Sequence, residues 1–217
     1  MSIKSYNRIA AIYELLGQIY SGGKIYAAKA SQVQQMRRGD AVLYVGVGPG
    51  EDAVLAAEHA AEVTCIDVAP GMLRQVESRF QAAGLKAILI CEDVLNHNRI
   101  GHYDVVVVNF FLNVFAEPSM KAMLAHLATL VKPGGRLLIS DFAAPRGNWF
   151  ERRIQAWYWG VTNLFYFVLR LCAWHPVYDY PRYFAEAGLK LAEVERFPLG
   201  RFGPQGFCAI TAVRCAS

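Results

Sequence analysis

The sequence has 217 residues, 54% of them hydrophobic and 18% charged, with a net charge of +4. That length suits one α/β domain with a full core. The apolar content excludes a disordered chain, and the mild charge excess lacks the dense basic patch of a nucleic-acid binder. It leaves room for an anionic membrane surface or an acidic substrate. The five cysteines (Cys65, Cys91, Cys172, Cys208 and Cys215) are odd in number and form no CxxC pair, which fits a reduced, cytoplasmic setting. The N-terminal stretch carries Lys4 and Arg8 with no apolar run behind them and does not read as a signal peptide.

In chain order, Ser5 to Arg38 reads as two helices broken at Ser21-Gly22-Gly23, the first with Ile9, Ile12, Leu16 and Ile19 on one side. Five β-rich runs follow: Ala41–Val45, Glu62–Asp67, Lys86–Cys91, Tyr103–Phe110 and Arg136–Ser140. They are continuous rather than alternating, the mark of strands buried on both faces. Helical stretches at about Glu51–His59, Gly71–Ala83 and Met120–Val131 separate them. This alternation predicts a Rossmann-like, doubly wound α/β fold with a mostly parallel sheet. Pro181–Ala187 reads as a short helix. Two last strands, Lys190–Phe197 and Gly206–Arg214, are close enough for an antiparallel pair, making seven strands with an antiparallel last one. The expected organisation is one domain over 1–217: a helical cap (1–38), a cofactor-binding core (39–142), an aromatic lid (143–180) over the same sheet edge as the cap, and a C-terminal helix with the strand pair (181–217).

The first strand runs into Gly46-Val47-Gly48-Pro49-Gly50, and a helix follows. Glycines let the backbone turn tightly and approach a ligand, and the new helix offers free N–H groups. Asp67 ends the second strand about 20 residues on, where an acid can accept ribose hydroxyls. It can equally cap the helix begun by Pro70-Gly71-Met72. A Walker loop is excluded, since no Gly-Lys-Ser/Thr follows. A dinucleotide oxidoreductase would prefer GxGxxG over this GxGxG. A nicotinamide-dependent enzyme and a non-catalytic binding protein on the same fold remain alternatives.

Four segments in order carry a family resemblance: Val42 to Gly50, Ile66-Asp67-Val68-Ala69-Pro70-Gly71-Met72-Leu73, Tyr103-Asp104-Val105-Val106-Val107, and Leu130-Val131-Lys132-Pro133-Gly134-Gly135-Arg136-Leu137. Together the set resembles the class I S-adenosylmethionine-dependent methyltransferases over about residues 40 to 142. The opening Tyr6 to Glu14 is loosely similar to the ubiquinone/menaquinone C-methyltransferases and to small bacterial phospholipid N-methyltransferases. The resemblance implies S-adenosyl-L-methionine as cofactor and methyl transfer to a small, apolar or lipid-like acceptor. It implies Gly46, Gly48 and Gly50 beside the cofactor's methionine and ribose, and Asp67 on the ribose diol. Val68, Asp93 and Val94 would flank the adenine, though Asp93 at the end of the third strand can equally be a turn residue; Asn109 would lie near the sulfonium, and Tyr13 would close the pocket. One departure stands out: the family usually has Asp or Glu where this chain has Tyr44. Tyrosine brings no charge near neutral pH, and Glu51 and Asp52 are the nearby acids.

Methyl transfer from a sulfonium needs alignment and, for a protonated nucleophile, a base. His175 and Asp179 bracket Pro176-Val177-Tyr178 and can form an oriented base; His175 can equally be a packed loop residue. Asn113 and Asp141 follow the fourth and fifth strands, as ligand contacts or loop caps. The remaining histidines show no metal-ligand spacing, so no metal is expected. Trp149, Trp157, Trp159 and Trp174 fall in one aromatic stretch, and Gln155 to Leu169 holds no charge. That run is shorter than the ~20 residues needed to span a bilayer. It reads as a lid over an apolar substrate, with peripheral contact at the inner membrane face as a second role.

Overall fold

The computed structural model describes residues 21–59, 61–168, 177–198, 203 and 205–216. Tyr13, His175 and the helix expected before Ser21 lie outside the described residues.

Seven strands form one sheet in the order β3-β2-β1-β4-β5-β7-β6. They are β1 (Ala41–Val45), β2 (Glu62–Ile66), β3 (Ile88–Ile90), β4 (Tyr103–Asn109), β5 (Val131–Phe142), β6 (Leu189–Pro198) and β7 (Gln205–Arg214). The first five are parallel, and β7 runs antiparallel between β5 and β6. Five described helices accompany them: α1 (Lys24–Ser31), α2 (Glu51–Glu58), α3 (Pro70–Ala82), α4 (Glu117–Leu130) and α5 (Trp149–Val168). The order reverses between β1 and β4, so the carboxyl ends of these two strands flank the crevice where an open α/β sheet binds ligands.

The unbroken valine run is the centre of the core. Val105 to Val108 are all fully buried, and successive side chains leave opposite faces. Val105 and Val107 join Val42, Tyr44 and Leu138 against Ala53 and Ala56 of α2 and Leu73, Val76 and Phe80 of α3. Val106 and Val108 join Leu43, Val45 and Ile139 against Met120, Leu124 and Leu127 of α4. Each such side chain contributes roughly 1.5–3 kcal/mol by burial, which outweighs the modest helix and strand preferences of the flanking segments.

Three elements differ from the sequence reading. β5 begins at Val131, directly after α4, because Val131 pairs with Tyr103 and Arg136 with Val105. Lys132 to Gly135 therefore bulge over Asp104, whose carboxylate takes the Lys132 ammonium at 2.8 Å. The helix expected at Pro181–Ala187 is a single 3-10 turn over Tyr180–Tyr183. Tyr180, Phe184 and Leu189 are each buried, and pinning all three leaves no length for a regular helix. The described part of the 1–38 cap lies along a sheet face, not across its edge. The Ser140 hydroxyl donates to the Ala28 carbonyl at 3.0 Å, and Arg136 reaches the Gln35 carbonyl. The α1 segment thus packs on β7, β6 and β5, beside α2.

Candidate functional site

The glycine loop leaves β1 at Val45, and its first amide, Gly46 N–H, donates to the Ile66 carbonyl of β2 at 2.9 Å. Gly46, Gly48 and Gly50 all adopt positive φ, at 58°, 57° and 79°, which L side chains resist. Their surroundings differ. A Cβ on Gly46 would stand 2.5 Å from the Phe111 ring, and one on Gly50 would stand 2.8 Å from Val76. A Cβ on Gly48 would meet nothing within 4 Å. Gly46 and Gly50 are thus required by packing, whereas Gly48 presents bare backbone to open space.

Asp67 follows β2 on the neighbouring strand end. Its N–H donates to the Ile90 carbonyl, and its Oδ1 accepts from the Ala69 amide at 2.8 Å. Burial pushes the carboxyl up, while amides of Ala69 and Gly48 pull it back. The last contact joins the acid to the open glycine. The capping alternative is therefore real but partial: Asp67 steadies the start of α3 and still faces the loop. Val68 beside it is 63% exposed.

Asp93 and Val94 do not form a free wall. Asp93 is the cap of a 3-10 turn, accepting from the Leu95 amide at 3.0 Å. Val94 is buried in the α4-side core, and its carbonyl accepts from His126.

Between β1, α2 and β4 lies a buried polar cluster. The Tyr44 hydroxyl donates to the Asp52 carbonyl at 3.0 Å. Burial, with Asp52 close by, holds that phenol well above its ordinary range, so it is neutral. Asp52 is 2% exposed. Its Oδ2 accepts from Asn109 Nδ2 at 2.7 Å, while Oδ1 is buried with no hydrogen bond and has the Lys29 ammonium at 3.8 Å. The Asn109 amide is used on both sides, since its Oδ1 accepts from the Ser140 amide at 3.0 Å. Glu51, the other acid of the first turn, points away to Arg79 at 2.8 Å.

A second cluster ties down the far side of the same edge. Asp141, at the end of β5, accepts from Asn113 Nδ2 at 2.9 Å and from the Tyr180 hydroxyl at 2.5 Å. Burial pushes its carboxyl up to about 7, against the hydrogen bonds from Tyr180, Phe142 and Asn113. Asn113 and Asp141 thus cap loops by bonding to one another. Asp179 does not stand free as part of a base, because its two oxygens take Arg146 at 3.2 Å and Arg182 at 3.0 Å. Phe110, directly after Asn109, has φ 52°. Its ring meets Phe142 and Phe207, and Trp159 of α5 packs on the same pair. A non-glycine residue in this conformation costs about 1–3 kcal/mol and persists where the surroundings impose it.

A methyltransferase-domain family matches residues 42–135, which hold the glycine loop, Asp67 and Asn109. Among solved structures, the magnesium protoporphyrin IX methyltransferase of Synechocystis with bound SAH matches at TM-score 0.65. It is 20% identical over 88% of this chain and 81% of that one. The fold is that of the class I methyltransferases. The 1,6-didemethyltoxoflavin-N1-methyltransferase of Burkholderia thailandensis shares this methyltransferase fold at TM-score 0.66 and 16% identity, over 100% of this chain and 92% of that one. In sequence, the ubiquinone/menaquinone biosynthesis C-methyltransferase of Paraburkholderia phymatum is 31% identical over 144 residues, 64% of this chain. The chain spans 58% of the length of that curated relative.

Of the predicted site residues, the methyltransferase fold gathers Gly46, Gly48, Gly50, Asp67, Val68 and Asn109 at one sheet edge. Two features of the neighbouring polar cluster were missed: Lys29 and the seating of Asp52 by Tyr44. The first has no local signal, since only the packing of α1 on the sheet brings it there. The second was open to a helical-wheel argument, because successive residues of a helix differ by about 100° in direction.

Proposed function

We propose that this chain transfers a methyl group from S-adenosyl-L-methionine to a small, apolar acceptor of quinone-like or other lipid-like character. One observation supports it above the rest: Gly48, open and in the left-handed region, lies against the Asp67 carboxylate at the switch point of the sheet. This donor set fits the cofactor. Open space where Gly48 lacks a side chain suits close approach by a ligand chain, and a part-buried carboxylate suits a ribose diol. Exposed Val68 suits one face of a purine.

When bound, the cofactor supplies an electrophilic methyl group to an acceptor held in line with it. The protein's own residues bind and orient. Gly46 and Gly50 shape the loop, Gly48 lines the cofactor, and Asp67 holds the ribose hydroxyls. Asp93 and Val94 set the turn behind the adenine position. Asp52 stands in for the strand acid that Tyr44 displaces: its buried Oδ1, which has no hydrogen bond and lies 3.8 Å from the Lys29 ammonium, would face the cofactor's ammonium as well. Asn109 holds Asp52 in that pose. Asp179 carries no role in proton transfer in this reading, being paired with two arginines. The acceptor class is supported by the quinone-pathway name of the sequence relative.

Isothermal titration with S-adenosylhomocysteine tests the reading. Micromolar binding is expected. No binding, together with clear binding of NADH, would turn the assignment to an oxidoreductase.

A further inference from the structure

We infer that the outward face of α5 docks on an anionic lipid surface. A helix lying on a globular protein normally turns polar residues to water; beyond its charged first turn, α5 turns large apolar ones outward. Its inner seam is Gln155 and Trp159, 2% and 4% exposed. Gln155 is fastened to the Arg146 amide and the Gln205 carbonyl, and Trp159 packs on Phe142 with ring centroids 4.5 Å apart. Phe150, Trp157, Val161 and Leu164 are 63%, 70%, 48% and 54% exposed. At 3.6 residues per turn, these four form one stripe roughly 170° from the seam. Large apolar side chains grouped on one exposed face mark an interaction site.

Charge selects the occupant. Gln155 to Leu169 contains no Asp, Glu, Lys or Arg, so the face carries nothing that must stay in water. Its N-terminal end carries two exposed cations, Arg152 and Arg153, and Arg153 lies over the ring of exposed Trp149 at 5.2 Å. The one acid in that turn, Glu151, is engaged with the Asn148 amide. Tryptophan at the rim, aliphatic and aromatic side chains in the stripe, and arginine at one end match an acyl boundary beneath anionic head groups. Among the described residues no helix is long and apolar enough to cross a membrane, so α5 lies in the interface plane. It follows β5 after a short connection and covers the same sheet edge as the glycine loop. Docking would bring that edge to the lipid, where an apolar acceptor resides. The docking inference rests on α5 alone, independently of the methyl-transfer reading.

Co-sedimentation of the full chain with vesicles tests it, using phosphatidylcholine alone and phosphatidylcholine mixed with phosphatidylglycerol. The chain is expected in the pellet with the mixed vesicles, with a blue shift of tryptophan emission. The double variant W157S/L164S should cut the bound fraction by about fivefold or more, and R152Q/R153Q should remove the preference for anionic vesicles. Both change exposed side chains, so an unaltered melting temperature certifies the fold. Absence of pelleting with either vesicle overturns the inference. So does a self-associated wild type in sedimentation velocity that W157S/L164S converts to monomer, which would make the face an interface between copies. Vesicle binding without S-adenosylhomocysteine binding would sink the methyl-transfer reading and leave this one standing.

Discussion

Tyr180 and Asp141 stand 39 residues apart in the chain and meet through a 2.5 Å hydrogen bond inside the core. The phenol donates, the carboxylate accepts, and Asn113 donates to the other oxygen. The pair locks the segment before β6 to the end of β5. Tyr180→Phe leaves a buried carboxylate oxygen without its donor and should cost about 1–3 kcal/mol in urea unfolding. The loss should be larger at pH 8 than at pH 5, because the ionised carboxylate needs the donor more.

The same carboxyl makes stability depend on pH. Burial raises it from 3.8 to about 7 in the folded protein. Between these values the folded state holds a proton that the unfolded state has released. Its contribution is therefore complete below about pH 4 and is lost as pH rises to about 7. Over pH 5 to 7 the loss is at most about 3 kcal/mol. Unfolding curves of the wild type and Asp141→Asn, taken at pH 5 and pH 8, should diverge by that order. Parallel curves would remove Asp141 as the titrating group. Burial raises Asp67 as well, but it remains in both proteins and cancels.

Asp52 and Glu51 are adjacent acids with opposite fates, one beside Tyr44 and Asn109 and the other on Arg79. Asp52→Asn keeps the shape and an acceptor for Asn109 but removes the charge. It should weaken S-adenosylhomocysteine binding by about tenfold, or ~1.4 kcal/mol, and also lower the melting temperature, because the Lys29 ammonium loses its partner. Glu51→Gln should leave affinity unchanged. Equal effects from both would show that only the general charge of the first turn matters.

The three loop glycines should separate in the same two measurements. Gly46→Ala drives a methyl into the Phe111 ring and Gly50→Ala drives one into Val76. Each should lower stability by about 1–3 kcal/mol from overpacking, beyond the strain of the left-handed backbone. Gly48→Ala meets no neighbour, so only the strain of about 1–2 kcal/mol applies. Affinity for S-adenosylhomocysteine should nevertheless fall most steeply at Gly48 relative to the stability lost, as titration and thermal melts on all three variants can establish.

Asp67→Asn retains an oxygen for the Ala69 amide, and Asp67→Ala retains none. Both should lose affinity for S-adenosylhomocysteine by about 1–3 kcal/mol, and only the alanine variant should also lose stability. Affinity unchanged in both would reduce Asp67 to a cap of α3.

Much of this was readable along the chain, because strands and helices are written in local periodicity. The valine run at 105–108 could only be a strand buried on both faces, and the glycine loop with Asp67 marked two neighbouring strand ends. Local pattern failed where tertiary packing set the outcome. Pro181 to Ala187 has helical composition, yet the burial of Tyr180, Phe184 and Leu189 compresses it to one turn. Which acid is buried beside Tyr44 depended on the direction in which α2 leaves the loop, and the Asn109 amide was taken up by Asp52 and Ser140 from two other elements. The partnership of Asp141 with Tyr180 required the chain to return across the whole sheet. Local sequence determined the elements and the loop, since backbone preference acts over a few residues. Only the folded chain decided which buried polar groups found partners, since that depends on side chains brought together from remote positions.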